Sequence, residues 1–377
     1  MRKRLHFKDC RRVANDCLTQ TKLSTRLIMK VIISKLKLTV IKGIIDLLFK
    51  GEGMTTKETL LALFEKNRGF FISGEYIAQN LGVSRTVVWK AVKKLQKEGF
   101  EITAVTNRGY CLSKDTDILS APAISQYLTD ECKNIRIEVF RSVDSTNNVC
   151  KQKANQGEPG GYVAIASSQS SGRGRKGRTF YSPADTGVYV SMMIKPEDFH
   201  GAGIVKLTTM SAVAICRAIE SLTDKKASIK WVNDIFVDNR KVCGILSEAS
   251  YNLEDAKLEC VVVGIGINLY PPKNGFPAAL ADTAGSILDK PGQLSRNRLV
   301  AEVLNNFMEL YNKGDMSYVD EYRKHSFAVG REIDVITPKS VRKATALAIN
   351  DDCSLQVRYE DGTEEALSSG EISIKIN

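Results

Sequence analysis

Gly172-Arg173-Gly174-Arg175-Lys176-Gly177-Arg178 puts four cations and three glycines into seven residues. Glycine lets backbone N–H groups approach a polyanion closely. Arginine supplies forked donors that match phosphate or carboxylate oxygens. Two familiar phosphate motifs nearly fit, and the context rejects both. The three glycines satisfy G-x-G-x-x-G, but Thr179–Pro183 and then a strand-like run follow, with no helix to receive a pyrophosphate. Arg178-Thr179 stands where a P-loop needs lysine followed by Ser or Thr, and again no helix follows. The bland alternative is a flexible basic surface loop.

Outward from this loop, the periodicity predicts strands at Ile135–Phe140, Tyr162–Ser167, Val188–Ile194, Ala227–Trp231, Ile235–Val237, Val242–Ser247 and Leu258–Ile267. Helices are predicted at Asn147–Asn155, Ile204–Leu222 and Arg296–Asn312. Neighbouring strands often lack a helix between them, so the expected class is α+β with a mixed sheet rather than a doubly wound one. Three further clusters carry chemistry. Lys230-Trp231-Val232-Asn233-Asp234 ends a strand with a lysine suited to an α-phosphate or carboxylate; a strand-end lysine reaching solvent is the plainer reading. Gly264-Ile265-Gly266-Ile267-Asn268 has glycines in an apolar strand, which suggests close approach of a ligand or tight sheet packing. Asp144-Ser145-Thr146-Asn147 offers short polar side chains at a strand-to-helix junction, where capping is also expected.

Residues 54–116 read as a winged helix. Leu60, Leu61 and Phe64 space a first helix over Thr55–Lys66. Ser73-Gly74-Glu75 opens a second, Gly82-Val83-Ser84 turns, and a third runs from Arg85 to about Glu98 with Val88, Ala91, Val92 and Leu95 inward. Asn107-Arg108-Gly109 turns between two short strands in Phe100–Leu112, giving the wing. Arg85, Thr86 and Trp89 are placed to approach base edges, and Lys90, Lys93, Lys94 and Arg108 to meet phosphates; a solvated lysine face is the plainer reading. One such helix reads a short half-site, so a specific operator implies a dimer.

The net charge of +11 supports no nucleic-acid argument by itself, because residues 1–53 hold 13 Lys+Arg against 4 Asp+Glu. That segment's apolar runs are broken by lysines and fall short of the ~20 residues of a spanning helix. No signal-peptide pattern fits, although a basic membrane-surface helix is conceivable. Phe49-Lys50-Gly51-Glu52-Gly53 before Met54 reads like a translated ribosome-binding site, so the expectation is a start at Met54. The nine cysteines show no CxxC spacing and histidines number three, which argues against a zinc site or a disulfide framework and fits a reducing cytoplasm. Asp115–Pro122 reads as a linker ahead of a central domain at 122–326. Residues 328–377 hold five short strands, at Arg331–Thr337, Arg342–Ile349, Leu355–Tyr359, Glu364–Leu367 and Ile372–Ile376, suggesting a small SH3-like barrel.

Taken in order, Ser145-Thr146-Asn147, Gln169, Gly172–Arg178, Lys230-Trp231-x-Asn233-Asp234, Lys241-x-x-Gly244-Ile245-Leu246 and Gly264-x-Gly266-x-Asn268 resemble the bacterial biotin–protein ligases, and the winged helix resembles that of the bifunctional ligase/repressor class. The resemblance runs from Met54 to the C-terminus and implies a class II synthetase-like catalytic domain. It implies that Ser145, Thr146, Asn147 and Gln169 hold the ureido end of biotin. Arg173, Gly174 and Arg175 would form the loop over biotin and its adenylate. Arg175, Arg178 and Lys230 would contact carboxylate and phosphates as the catalytic cations. Asn268 would lie near the ATP, with Mg2+ nearby and no residue read as its ligand. The implied partners are a biotin carboxyl carrier protein and operator DNA, with a homodimer forming when biotinyl-AMP is bound. Phe180 and Val232 stand where the family often has Trp and Pro, and Lys375 follows Gly370-Glu371-Ile372-Ser373 where it commonly has arginine. Open alternatives are a biotin-sensing regulator without ligase activity, a lipoate–protein ligase, and a ligase whose winged helix no longer binds DNA.

Overall fold

The computed structural model describes residues 55–195, 203–251, 258–337 and 340–374. The expectations about residues 1–53, the start at Met54 and Lys375 lie outside them. The chain divides into two compact units, one reaching Glu98 and including Ile102–Cys111, the other comprising Gly99–Glu101 and everything from Leu112.

In the first unit, helix α1 (Thr56–Glu65) starts at a capping box in which Thr55 and Glu58 satisfy each other's backbone N–H groups. Helix α2 (Gly74–Leu81) is capped by Ser73, and α3 (Arg85–Lys97) by Ser84. Such caps are worth about 1 kcal/mol each. Leu60, Leu61, Phe64, Ile77, Val88, Val92 and Leu95 are buried between the three helices. Strands β1 (Ile102–Val105) and β2 (Gly109–Leu112) form the wing. Ile72 and Tyr110 exchange backbone hydrogen bonds of 2.8 and 2.9 Å. Gly109 makes that approach possible, because a Cβ there would lie 2.0 Å from the Ile72 carbonyl oxygen.

The second unit is built on a seven-stranded sheet: β3 (Arg136–Phe140), β4 (Tyr162–Ala166), β5 (Gly187–Ile194), β6 (Ser228–Lys230), β7 (Asp234–Val237), β8 (Arg240–Tyr251) and β9 (Leu258–Asn268). The spatial order is β3-β4-β5-β9-β8-β7-β6. β3 and β4 are parallel, and the remaining neighbours are antiparallel. Between β3 and β4 runs α5 (Thr146–Asn155), the helix a parallel crossover requires. The period of two along the strands sorts the sheet's two faces. Val163, Ile165, Val190, Met192, Val261 and Val263 join a large core with α6 (Ile204–Leu222) and α7 (Arg296–Lys313). Ala164, Met193, Cys260 and Val262 face the other way, onto Cys150 and Ala154 of α5.

The segment read as a linker is tied down. Asp117 accepts from the buried Arg296 guanidinium and its backbone N–H at 2.9 and 2.8 Å, and Asn297 bridges the Ser120 N–H and the Ile118 carbonyl. Ser120 then caps a short helix α4 (Ala121–Ser125). After α8 (Val319–His325), strands β10 (Glu332–Ile336), β11 (Val341–Ile349), β12 (Leu355–Tyr359), β13 (Glu364–Leu367) and β14 (Glu371–Ile374) form one antiparallel sheet in the order β13-β12-β11-β10-β14. Ile333, Val335, Ala346, Leu355, Val357 and Ile372 belong to the same buried core as the central sheet. Trp231 Nε1 donates to the Cys353 carbonyl at 3.0 Å. The C-terminal sheet is thus packed onto the central sheet rather than tethered to it.

Candidate active site

A cavity of about 770 Å³ opens over β6–β9 and is lined by Ser145, Thr146, Asn147, Gln169, Arg173, Gly174, Arg175, Arg178, Lys230 and Asn268. Every residue the sequence suggested for the biotin and ATP sites therefore reaches one space. Glu371 to Ile374 of β14 also line it.

At one end the lining is neutral and buried. Ser145, Thr146 and Asn147 are 2–4 % exposed at the N-terminus of α5. Gln169 accepts from the Thr146 N–H at 2.9 Å and donates to Ser182 Oγ at 3.0 Å. Ser191, fully buried on β5, lies 2.6 Å from Asn147 Oδ1 and 2.7 Å from Thr146 Oγ1. Asn147 Nδ2 donates to Glu248 at 2.7 Å. Burial by itself would raise the Glu248 pKa. Hydrogen bonds from Asn147 and Lys151, with the charges of Lys151 and Arg173, outweigh it and hold Glu248 below the ordinary carboxylate value.

At the other end the lining is cationic and more open. The 172–178 loop closes as a tight turn: Gly174 N–H donates to the Arg178 carbonyl at 2.7 Å, and Lys176 takes a left-handed conformation (φ 55°). Arg175 Nη1 donates to Asn233 Oδ1 at 3.0 Å, and Asn233 is held by the Ile245 carbonyl. Glu371 pairs with Arg178 at 2.7 Å and Lys176 at 3.2 Å. Lys230 ends β6 opposite Asp234, which pairs with Lys241 at 2.7 Å. Burial lowers the Lys230 pKa; Lys241 and Arg178 push the same way, while Asp234 and Glu371 oppose them.

The glycines of β9 answer a question the sequence left open. A Cβ at Gly264 would lie 2.2 Å from Asn147 Oδ1, and one at Gly266 would lie 2.5 Å from the Phe180 ring. In this structure the groups that approach them are the protein's own side chains, so both glycines serve to seat residues of the pocket wall. Sequence reasoning missed Ser191, which sits inside an apolar strand with no motif around it, and Glu248, which lies just past the strand read at Val242–Ser247. It noted Glu371 only as part of a C-terminal signature, with no partner.

In the first unit, Arg85, Thr86, Trp89, Lys90, Lys93 and Lys94 are all exposed on α3, and Trp89 is 51 % exposed. Arg108 is exposed on the wing turn and lies over the Phe71 ring at 4.3 Å.

The Biotin/lipoate A/B protein ligase family matches residues 139–268, an HTH domain matches 56–111, and the biotin protein ligase C-terminal domain matches 329–375. Bifunctional ligase/repressor BirA of Bacillus subtilis is 31% identical over 320 residues, covering 84% of this chain and 98% of that protein. The chain belongs to the bifunctional biotin ligase/repressor family. BirA of Escherichia coli is 27% identical over 312 residues, 81% of this chain and 94% of that one. Among solved structures, biotin protein ligase from Aquifex aeolicus in complex with biotin and ATP shares the fold, with a TM-score of 0.54, 23% identity, and coverage of 64% of this chain and 99% of that one. As a biotin ligase/repressor, the chain combines an N-terminal helix-turn-helix domain, a central mixed-sheet ligase domain and a C-terminal antiparallel sheet. No helix among its described residues is long and apolar enough to cross a membrane.

Proposed function

We propose that the cavity joins biotin to AMP and then to a lysine of a biotin carboxyl carrier protein. The observation that carries this is its polarity: one neutral, buried end of amides and hydroxyls and one cationic end share a single space. Biotin is a neutral bicyclic urea with a carboxylate tail, so it needs that pairing. Ser145, Thr146, Asn147 and Gln169 bind the ureido head. Arg173, Gly174 and Arg175 cover the tail, and Arg175, Arg178 and Lys230 draw together the carboxylate and the α-phosphate of ATP, with Asn268 at the nucleotide side.

In the first step a biotin carboxylate oxygen attacks the α-phosphorus and pyrophosphate leaves. In the second the carrier lysine amine attacks the acyl carbon and AMP leaves. Charge neutralisation and alignment supply most of the rate, and the loop keeps water from the mixed anhydride. Among the described residues no group of three His, Cys, Asp or Glu side chains could hold a metal. Asp234 and Glu371, which line the cavity, are already paired with cations. In this reading magnesium is carried in on the triphosphate, as Mg2+ commonly is.

Mass spectrometry of a carrier domain incubated with the full chain, biotin, ATP and magnesium tests the reading; the expected result is the added mass of one biotinyl group. Absence of both the mass shift and biotin-dependent pyrophosphate release would leave a sensor without ligase activity, and labelling with lipoate instead would make the chain a lipoate ligase.

The exposed row on α3 supports a second role, binding operator DNA as a homodimer favoured by biotinyl-AMP. Equal DNA affinity with and without biotin and ATP would sever that coupling.

A further inference from the structure

Three short contacts at the neutral end share only two hydroxyl protons. Ser191 Oγ lies 2.6 Å from Asn147 Oδ1 and 2.7 Å from Thr146 Oγ1, and Thr146 Oγ1 lies 3.1 Å from Gln169 Oε1. Each hydroxyl has a single proton, so the chain has a direction that something must set.

The Asn147 amide sets it. Its Nδ2 faces two acceptors, Glu248 Oε2 at 2.7 Å and the Leu246 carbonyl at 3.4 Å. An ionised carboxylate only accepts. Turning the amide over would press Oδ1 against that carboxylate oxygen. Asn147 Oδ1 therefore faces Ser191, and Ser191 donates to it. The 2.7 Å contact between Ser191 and Thr146 then requires the Thr146 hydroxyl to donate to Ser191. Gln169 Oε1 is left with the Thr146 backbone N–H, at 2.9 Å, as its donor. Its second lone pair is open to a donor in the cavity that Gln169 lines. The other end of the Gln169 amide is fixed too, since Nε2 donates to Ser182 Oγ and Ser182 donates to the Phe180 carbonyl at 2.9 Å.

We infer that Glu248 is a positioning residue: acting through Asn147, Ser191 and Thr146, it keeps the Gln169 carbonyl free to accept an N–H of the ligand's cyclic urea. This rests on the proposed biotin site. Glutamine at 248 would leave only the long 3.4 Å contact with the Leu246 carbonyl to hold the amide. A donor amide there lets Asn147 turn over, donate to Ser191 and reverse the chain. The Thr146 hydroxyl then fills Gln169 Oε1, and the ligand's N–H finds no acceptor.

The test uses the full chain as wild type, Glu248→Gln, Ser191→Ala, the double variant and Lys151→Met, with biotin and ATP binding measured by titration calorimetry. Glu248→Gln is expected to weaken biotin about tenfold, one hydrogen bond's worth, while ATP affinity stays within about twofold. Ser191→Ala cuts the relay, frees the Thr146 hydroxyl for Gln169 and weakens biotin to a similar degree. The double variant loses no more than either single one, because both act on the same acceptor. Lys151→Met removes the cation 2.9 Å from Glu248 Oε1 but keeps the carboxylate, so biotin affinity stays within about twofold. The inference is overturned by unchanged biotin affinity in Glu248→Gln, by single losses that multiply in the double variant, or by a Lys151→Met loss as large as that of Glu248→Gln. If Ser191→Ala does not fold, Glu248→Gln against Lys151→Met decides alone. Wild type that binds no biotin overturns the proposed site itself, and this inference with it.

Discussion

The two ends of the cavity solve opposite problems. At the neutral end, polar side chains are nearly sealed from solvent, with Ser145, Thr146, Asn147 and Ser191 at 4 % exposure or less. Burying uncharged groups costs little once their hydrogen bonds are made. On the cationic loop, which reaches from Glu248 beside Asn147 to Glu371, the side chains of Arg173 and Arg178 are 48 % and 67 % exposed. Full burial of four cations would demand partners for all of them. The protein instead keeps them near water and lends them carboxylates, Glu371 to Arg178 and Lys176, and Glu248 to Arg173. The hydrogen bonds of the first group are enclosed, while the ion pairs of the second stay near water, where they can exchange partners.

Substitutions can break that contrast. The largest effect is expected from Lys230→Met, which removes the half-buried ammonium: biotin-dependent pyrophosphate exchange should fall about 10²- to 10³-fold, the scale of losing one pre-placed electrostatic group. Wild-type rates in the variant would remove Lys230 from the reaction. Its lowered pKa adds a pH test. The ammonium is present below its folded pKa, so KM for ATP should begin to rise at a pH below the 10.5 of an ordinary lysine, and this alkaline limb should vanish in Lys230→Met.

Next is Gln169→Ala, which opens the sealed end. KM for biotin should rise by about tenfold or more with KM for ATP little changed. Equal rises in both would mean that the two ends are not separate. Arg173→Gly acts on the cover and not on either anchor. Adenylate formation should stay within about tenfold, while free biotinyl-AMP accumulates and labels proteins indiscriminately; liquid chromatography of the released adenylate reads this directly, and a tightly held adenylate would contradict it.

The smallest effect should come from Glu371→Gln. Half-exposed ion pairs contribute little, so KM for ATP is expected to shift by no more than about threefold, downward, as Arg178 and Lys176 are released to phosphate. The Glu371 pKa is lowered: burial opposes this, but hydrogen bonds from Arg178 and Lys176 prevail. The pair is thus fully formed above the ordinary carboxylate value of 4.5 and is lost only as pH falls through the still lower folded value. The difference between wild type and Glu371→Gln should be flat through the neutral range.

Much of this was legible along the chain because the signals were local. Ser73, Ser84 and Gly82 punctuate the helix-turn-helix, and the absence of a helix after Arg178 was enough to reject the two common nucleotide loops. The helix at Ile204–Leu222 and the strand Leu355–Tyr359 were predicted to their ends, since apolar periodicity is strong there, and Glu364–Leu367 was delimited by the Glu360-Asp361-Gly362 turn before it. Asp115–Pro122 was misleading: polar residues and a proline describe a linker equally well when Asp117 is an ion-pair partner for Arg296, 179 positions away. Ser191 was invisible because a serine in an apolar strand reads as an ordinary residue until Thr146 and Asn147 are seen opposite it.

The order of motifs by itself determined the class of chemistry, because residue type dictates which charges and hydrogen bonds a site can offer. What only the tertiary structure decided was direction and partnership: which way the Asn147 amide points, which carboxylate holds which arginine, and why Gly264 and Gly266 are bare. Those depend on distances between groups brought together from separate strands, and a proton or a salt bridge is assigned by distance, not by sequence position.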